Sequence, residues 1–212
     1  MYLPKMFEEN DAARLCEFIR CHPLATLVSH DANGLCADHI PMLVETASDG
    51  TTLLRGHVAR ANPLWGNLGS GASVLAIFQD AGGYITPSWY ASKRETGKVV
   101  PTWNYVAVHV QGSARAVDDS SWLQDFLTRL TNANESSRAQ PWKLTDAPAE
   151  YIATQLKAIV GIEVRVAHMV GKWKVSQNRL PRDIDGVIAG LRGRGDPDSQ
   201  RMAADVEQHR PR

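Results

Sequence analysis

A chain of 212 residues with 43% hydrophobic and 22% charged side chains has enough apolar material for one substantial core. Its 23 basic and 23 acidic residues cancel, so bulk charge gives no support to a grip on a polyanion such as DNA. No apolar run approaches the roughly 18 residues of a membrane span, the first residues lack a secretory pattern, and three cysteines without a C-x-x-C pair read as reduced thiols. The expectation is a cytoplasmic protein with no membrane partner.

Residues 11–21 place Ala12, Leu15, Cys16 and Ile19 on one helical face, which Pro23 ends. Leu24 to Ser29 reads as a buried strand, and Asn33-Gly34 supplies the positive φ of a tight hairpin turn. A second strand follows from about Leu35 to Glu45, where Pro41 points to an edge or a bulge. Ser48-Asp49-Gly50 turns the chain into a third strand, Thr51 to His57. Asn62-Pro63 starts a short helix closed by Gly69 and Gly71, and Ser73 to Gln79 is a further strand.

Thr102 to Val117 is long enough for a bent strand. Ser120 and Ser121 are cap candidates for an amphipathic helix carrying Trp122, Leu123, Phe126, Leu127 and Leu130. Another helix runs from near Pro148 to Ile159. Ile162, Val164, Val166 and His168 alternate as a half-buried strand, continued past Gly171 to Ser176, and Ile184, Val187, Ile188 and Leu191 form a last helical stripe. Short strands joined by tight turns favour an antiparallel sheet or barrel over βαβ units. Residues 1–192 read as one domain, and 193–212, polar with few apolar anchors, as a disordered tail.

Three clusters could carry chemistry. At the strand-to-helix corner of His57, Arg60 and Asn62, free N–H groups of a helix start and a guanidinium fork suit a phosphate. The second joins Tyr84 to Tyr90, with Lys93, to Pro101-Thr102-Trp103-Asn104-Tyr105, aromatics with polar ends that suit pockets and subunit interfaces. The third, Gly171 to Arg179, ends a strand in a dense set of donors and acceptors. No H-x-H or H-x-x-x-H pair, G-x-S-x-G, Walker loop or Rossmann fingerprint is present, which speaks against a metal- or nucleophile-based enzyme.

Several blocks taken together, Met1 to Lys5, His39-Ile40-Pro41, Gly56-His57-Val58-Ala59-Arg60-Ala61-Asn62-Pro63, Pro87-Ser88-Trp89-Tyr90, Val100 to Tyr105, Lys157 to Gly161, Lys172-Trp173-Lys174 and Ser176-Gln177-Asn178-Arg179, resemble the PaiB-type FMN-binding negative transcriptional regulators. The resemblance covers roughly residues 1–191 in order. It implies an α+β fold, the antiparallel FMN-binding split β-barrel of pyridoxamine-phosphate oxidases with peripheral helices. It also implies a homodimer with FMN at the subunit interface. In that fold His39, Ile40, Pro41, Gly56, His57, Val58, Ala59, Arg60 and Asn62 would line the flavin, and the partner subunit would add its Trp103, Asn104 and Tyr105. The loop Asp80-Ala81-Gly82-Gly83 departs from the family's usual Gly-Pro-His reading.

The resemblance makes a flavin-dependent negative regulator the leading function. Direct DNA contact would fall to the tail arginines Arg192, Arg194, Arg201, Arg210 and Arg212, which are interspersed with acids. The rival is an FMN-dependent oxidoreductase or flavin reductase, with His57 or Tyr105 tuning the flavin or holding substrate. A heme-binding split barrel, with His39, His57 or His109 as axial ligand, is a third reading.

Overall fold

The computed structural model describes residues 1–69 and 71–211. In chain order the strands and helices are β1 (Glu8–Glu9), α1 (Ala12–Cys21), β2 (Leu24–Asp31), β3 (Gly34–Pro41), β4 (Leu43–Thr46), β5 (Thr52–Ala59) and α2 (Leu64–Asn67). They continue with β6 (Ala72–Gln79), β7 (Gly83–Ile85), α3 (Lys93–Thr96), β8 (Thr102–Val117), α4 (Ser120–Glu135), α5 (Ala149–Lys157), β9 (Ile159–Lys174), α6 (Pro181–Arg192) and α7 (Pro197–Gln208). None of the described helices is long and apolar enough to cross a membrane. The chain forms two compact units, a barrel unit of Cys16–Phe78 and His109–Met169, and a hairpin unit of Met1–Leu15, Gln79–Val108 and Val170 onward.

In the barrel unit the strands are hydrogen-bonded in the order β3-β2-β6-β8-β9-β5-β4. The hairpin turns at Ala32-Asn33, one residue before the expected Asn33-Gly34, and Gly34, at φ 114°, opens β3 opposite Asp31, which sets Leu24 opposite Pro41. Pro41 ends the edge strand β3 as its missing N–H requires. One residue later, at Met42, the chain passes from one end of the sheet to the other, where β4 pairs with β5. The two ends then meet: a Cβ on Gly56 of β5 would stand 2.8 Å from Ile40 Cγ2 and 3.1 Å from the Pro41 carbonyl of β3. Only glycine allows that approach, and Ile40, Met42, Leu54, Val58, Val160 and Ile162 are buried around it.

Alternation along β5 sends Arg55 and His57 to the opposite face, under α4. There Trp122 stacks on Phe126 (5.3 Å, 19°), the Arg55 guanidinium lies 5.8 Å over the Trp122 ring, and His57 meets Phe126 edge-on at 5.9 Å. Gly161 of β9 leaves room for Trp122, since any Cβ there would fall on the indole. Asp119, rather than Ser120 or Ser121, caps α4, accepting from Trp122 N–H at 2.7 Å and the Ser121 hydroxyl at 2.6 Å. Below the helix Glu163 accepts from Arg55 (2.7 Å) and Arg115 (2.7 Å), and Glu45 from Arg55 (2.9 Å) and Arg129 (2.8 Å).

In the hairpin unit β1 pairs with the end of β9 (Glu8 opposite Lys172), and β7 with the start of β8 (Tyr84 opposite Trp103). Ile184, Val187, Ile188 and Leu191 of α6 are buried, the stripe expected from their spacing. The expectation of a disordered tail fails here: residues 197–208 form α7, with Met202, Ala203 and Val206 buried. The cue was the pair Asp196-Pro197, a cap whose carboxylate accepts from Ser199 N–H at 2.8 Å and a proline in the first turn. Arg212 lies outside the described residues.

Candidate ligand site

Within the barrel unit the corner residues come together as one built feature. His39 is exposed on β3 opposite Thr26, Ile40 is buried, and Pro41 is exposed with its carbonyl against Gly56. Val58 points inward and Ala59 outward; the Ala59 carbonyl closes the turn by accepting from Asn62 N–H at 2.9 Å. Asn62 Oδ1 accepts from Leu64 N–H (2.8 Å) while its Nδ2 donates to Asp38 (2.7 Å). The amide therefore pins the turn to β3. The helix that follows has four residues, too few aligned peptides for a useful dipole end.

Arg60 departs from the reading drawn from sequence. Its fork donates to both carboxylate oxygens of Asp118 (2.8 and 2.6 Å), its Nε to the Lys157 carbonyl (2.7 Å), and Nη2 also to the Ile159 carbonyl (3.2 Å). Four donor contacts on a side chain with five N–H groups leave little for a phosphate. The Arg60 hydrogen bond holds the Asp118 carboxyl below its ordinary value. Sequence could not show this, because Asp118 lies 58 positions away and looked like a helix-start acid.

His57 Nδ1 is buried with no hydrogen-bond partner, and burial pushes the imidazole pKa down. The ring packs against Phe126, on the face opposite Gly56 and Val58, where burial disfavours its charged form. Of the other two histidines weighed as axial ligands, His39 is exposed and His109 half-buried, its pKa also lowered chiefly by burial. Beside Pro41 and Met42 the barrel unit also carries a cleft of about 380 Å³, with Pro23, Leu130 and the ion-paired Glu45 and Arg129 in its wall.

The second group lies in the hairpin unit. Trp103 is 52% exposed and Tyr84 43%, their rings 6.4 Å apart at 59°. Asn104 is 1% exposed and exchanges hydrogen bonds with the Ser176 hydroxyl (2.9 Å), Ser176 holding a φ of 69° rare for a side-chain-bearing residue. The departing loop has its own reason: a Cβ on Gly82, at φ 67°, would stand 2.6 Å from Trp103 Nε1. Tyr105 lies under Lys172, whose Nζ is 5.4 Å from the ring centre and 5.7 Å from that of Tyr2. Lys174 donates to Thr102 Oγ1 (2.6 Å) and to the Trp103 carbonyl (2.7 Å). Trp89 is seated by α6: a Cβ on Gly186 would strike the Trp89 carbonyl, and one on Gly190 its indole.

Sequence reasoning noticed the segment from Gly171 to Arg179 but named none of its residues as a site. The available signal was the K-x-K alternation of Lys172 and Lys174, which places both on one strand face. The set suits a ligand with an anionic end and a flat aromatic end.

Comparison with known proteins gives a consistent picture. A family model described as "Putative FMN-binding domain" matches residues 1–168. The protease synthase and sporulation protein PAI 2 of Bacillus subtilis is 31% identical over 207 residues, covering 98% of this chain and 97% of that protein. The uncharacterized protein AN0679 of Emericella nidulans is 33% identical over 245 residues, covering 99% and 97%. Among solved structures, the FAD and heme binding protein from Mycobacterium smegmatis superposes with a TM-score of 0.61 at 15% identity, over 84% of this chain and 78% of that one. At that identity the likeness speaks to fold, the antiparallel split β-barrel with peripheral helices.

Proposed function

The chain belongs to the FMN-binding domain family, and from that premise we propose that it works as a cytoplasmic, homodimeric, FMN-binding negative transcriptional regulator of the PaiB type. The observation that carries the reading is the pair Tyr84 and Trp103. A protomer that leaves two large rings 43% and 52% exposed beside a fully satisfied Asn104 presents a surface suited to a flat ligand and a second subunit. In this reading one subunit supplies the corner of His39, Ile40, Pro41, Gly56, His57, Val58, Ala59, Arg60 and Asn62, and the partner its own Trp103, Asn104 and Tyr105. Arg60 acts as a positioning residue, holding the corner in shape through Asp118. FMN, when bound, supplies electron-transfer chemistry; the chain's residues bind it, orient it and shield its face from water.

Contact with DNA through the last two helices has little support. Arg192 pairs with Glu207 at 2.7 Å, Arg201 with Asp198, and Arg210 with Asp185 at 2.8 Å. Arg194 donates to the Tyr84 carbonyl at 2.9 Å. α7 sets Asp198, Asp205 and Glu207 against a single arginine. Regulation through a partner protein fits this charge pattern better.

The test is an absorbance spectrum of purified protein before and after FMN titration, with sedimentation at micromolar protein. Flavin uptake with quenched fluorescence by a dimer supports the reading; a monomer, or no uptake, removes it. A salt-sensitive complex with its own promoter, stronger than with random DNA, would restore direct DNA contact.

A further inference from the structure

We propose that Lys172, Lys174 and Arg179, all in the hairpin unit, form a binding site for a phosphate-type oxyanion, the terminal group of a phosphate monoester. The first observation is an imbalance of charge. Arg14, Arg182, Arg192, Arg201 and Arg210 in the same unit each hold a carboxylate. Lys172, Lys174 and Arg179 hold none among the described residues, nor do Lys5, Lys93, Arg94, Lys98 and Arg194, but of all these only Lys172 is buried, at 7% exposed. Glu8 stands opposite Lys172 across the β1–β9 pair but makes no ion pair with it, and a buried ammonium without one is costly. Here the Tyr2 carbonyl, at 3.0 Å, and the faces of Tyr2 and Tyr105 offset part of that cost.

The second observation is geometry. Two residues apart on β9, Lys172 and Lys174 share a face. Lys174 is fixed by Thr102 and the Trp103 carbonyl, and the Arg179 guanidinium lies 4.8 Å over the Tyr90 ring. An ammonium has three N–H groups; Lys172 gives one to protein and Lys174 two, so each keeps a donor. The Tyr90 hydroxyl is buried beside Arg179, whose charge and hydrogen-bonding contact oppose the rise that burial gives its pKa. Asp183, the acid that acts on Tyr90 together with Arg179, is committed to Ser92, accepting from its N–H at 2.9 Å and its hydroxyl at 2.7 Å. Burial first, then the charges of Lys172 and Arg179, pull the Lys174 pKa down, a strain that an anion between them relieves. Three cations match a phosphate monoester, which carries close to two negative charges and three acceptor oxygens.

The phosphate of FMN is one source of that group and free phosphate the other; only occupation by FMN rests on the function proposed above. It also answers where a flavin phosphate would go when the Arg60 fork is taken by Asp118.

The test titrates wild type, Lys174→Gln, Arg179→Gln and Lys174→Arg with FMN, riboflavin and inorganic phosphate, each variant checked for a wild-type melting curve. The two glutamine variants should lose FMN affinity by about tenfold or more, the scale of one charge-assisted contact. Riboflavin, which lacks the phosphate, should change by less than about twofold, and Lys174→Arg should restore most FMN binding. Phosphate binding by wild type that disappears in the glutamine variants, without uptake of any flavin, upholds the anion site and removes the FMN reading. An unchanged FMN-to-riboflavin ratio in both glutamine variants overturns the proposal, as does wild type binding neither FMN nor phosphate.

Discussion

Gly186→Ala sets two effects of opposite sign against each other. In a helix interior, alanine gains about 0.5–1 kcal/mol over glycine. At position 186 the added methyl would fall on the Trp89 backbone carbonyl, which cannot rotate aside as a side-chain tip can. Overpacking of this kind costs about 1–3 kcal/mol, and a backbone obstacle puts it at the upper end. The net is a loss of about 2–2.5 kcal/mol, or a Tm about 4–10 °C lower for a chain of this size. Gly66→Ala in α2 is the control, because an added Cβ there meets nothing within 4 Å. It should be neutral or gain up to about 1 kcal/mol. Urea and thermal unfolding of both variants measure the difference. Since α6 seats Trp89, and the next residue, Tyr90, lies under Arg179, Gly186→Ala should also weaken phosphate binding. A Gly186→Ala protein as stable as Gly66→Ala would mean that Trp89 does not sit on this helix face, and the reasoning fails.

The Met202→Ala variant should lose about 2–4 kcal/mol, because Met202 is 1% exposed; an unchanged melting curve would return α7 to the status of a loose tail. His57 has a pKa lowered by burial below its ordinary 6.5, so the unfolded chain binds the extra proton and stability falls as pH drops below that value. His57→Phe removes the group, and its Tm advantage over wild type should widen from about pH 7.5 to 5.5; equal profiles would refute the burial account. Glu163 is pushed up by burial but held down further by the Arg115 and Arg55 hydrogen bonds, so its folded pKa lies below 4.5. Its contribution is complete above 4.5 and is lost as the pH falls through the lowered folded value. Glu163→Gln should cost about 2–4 kcal/mol at pH 7 and flatten the acid limb of the stability profile, read by urea midpoints at several pH values.

The sequence was legible where one residue decides one local event. Asn33-Gly34 marks a hairpin to within one residue, Pro41 ends an edge strand, and the stripe of Ile184, Val187, Ile188 and Leu191 buries one helix face. It was not legible where the meaning of a residue is set by a distant partner. The ion pair of Arg60 cannot be read before Asp118 is brought to it, nor the packing of His57 before α4 lays Phe126 on its ring. The tail misled for a third reason. Met202, Ala203 and Val206 are a narrow apolar stripe in a polar stretch, enough to bury one face against a helix already present and too little to predict one alone.

A chain with no net charge can still hold an anion if its cations are unevenly committed. Across the molecule arginines are spent on acids, from Arg55 and Arg115 on Glu163 to Arg60 on Asp118 and Arg192 on Glu207. Lys172 and Lys174 at the end of β9, and Arg179 beyond it, are met by aromatic rings, carbonyls and a hydroxyl rather than by ion-paired carboxylates, which is the ground for proposing an anionic ligand there. The same accounting weakens the DNA reading, because Arg192, Arg201 and Arg210 hold carboxylates and α7 is acidic. Net charge therefore leaves open whether this protein binds an anion. The proposed site rests on where Lys172, Lys174 and Arg179 stand, which suits a small, doubly charged group better than a polymer of phosphates.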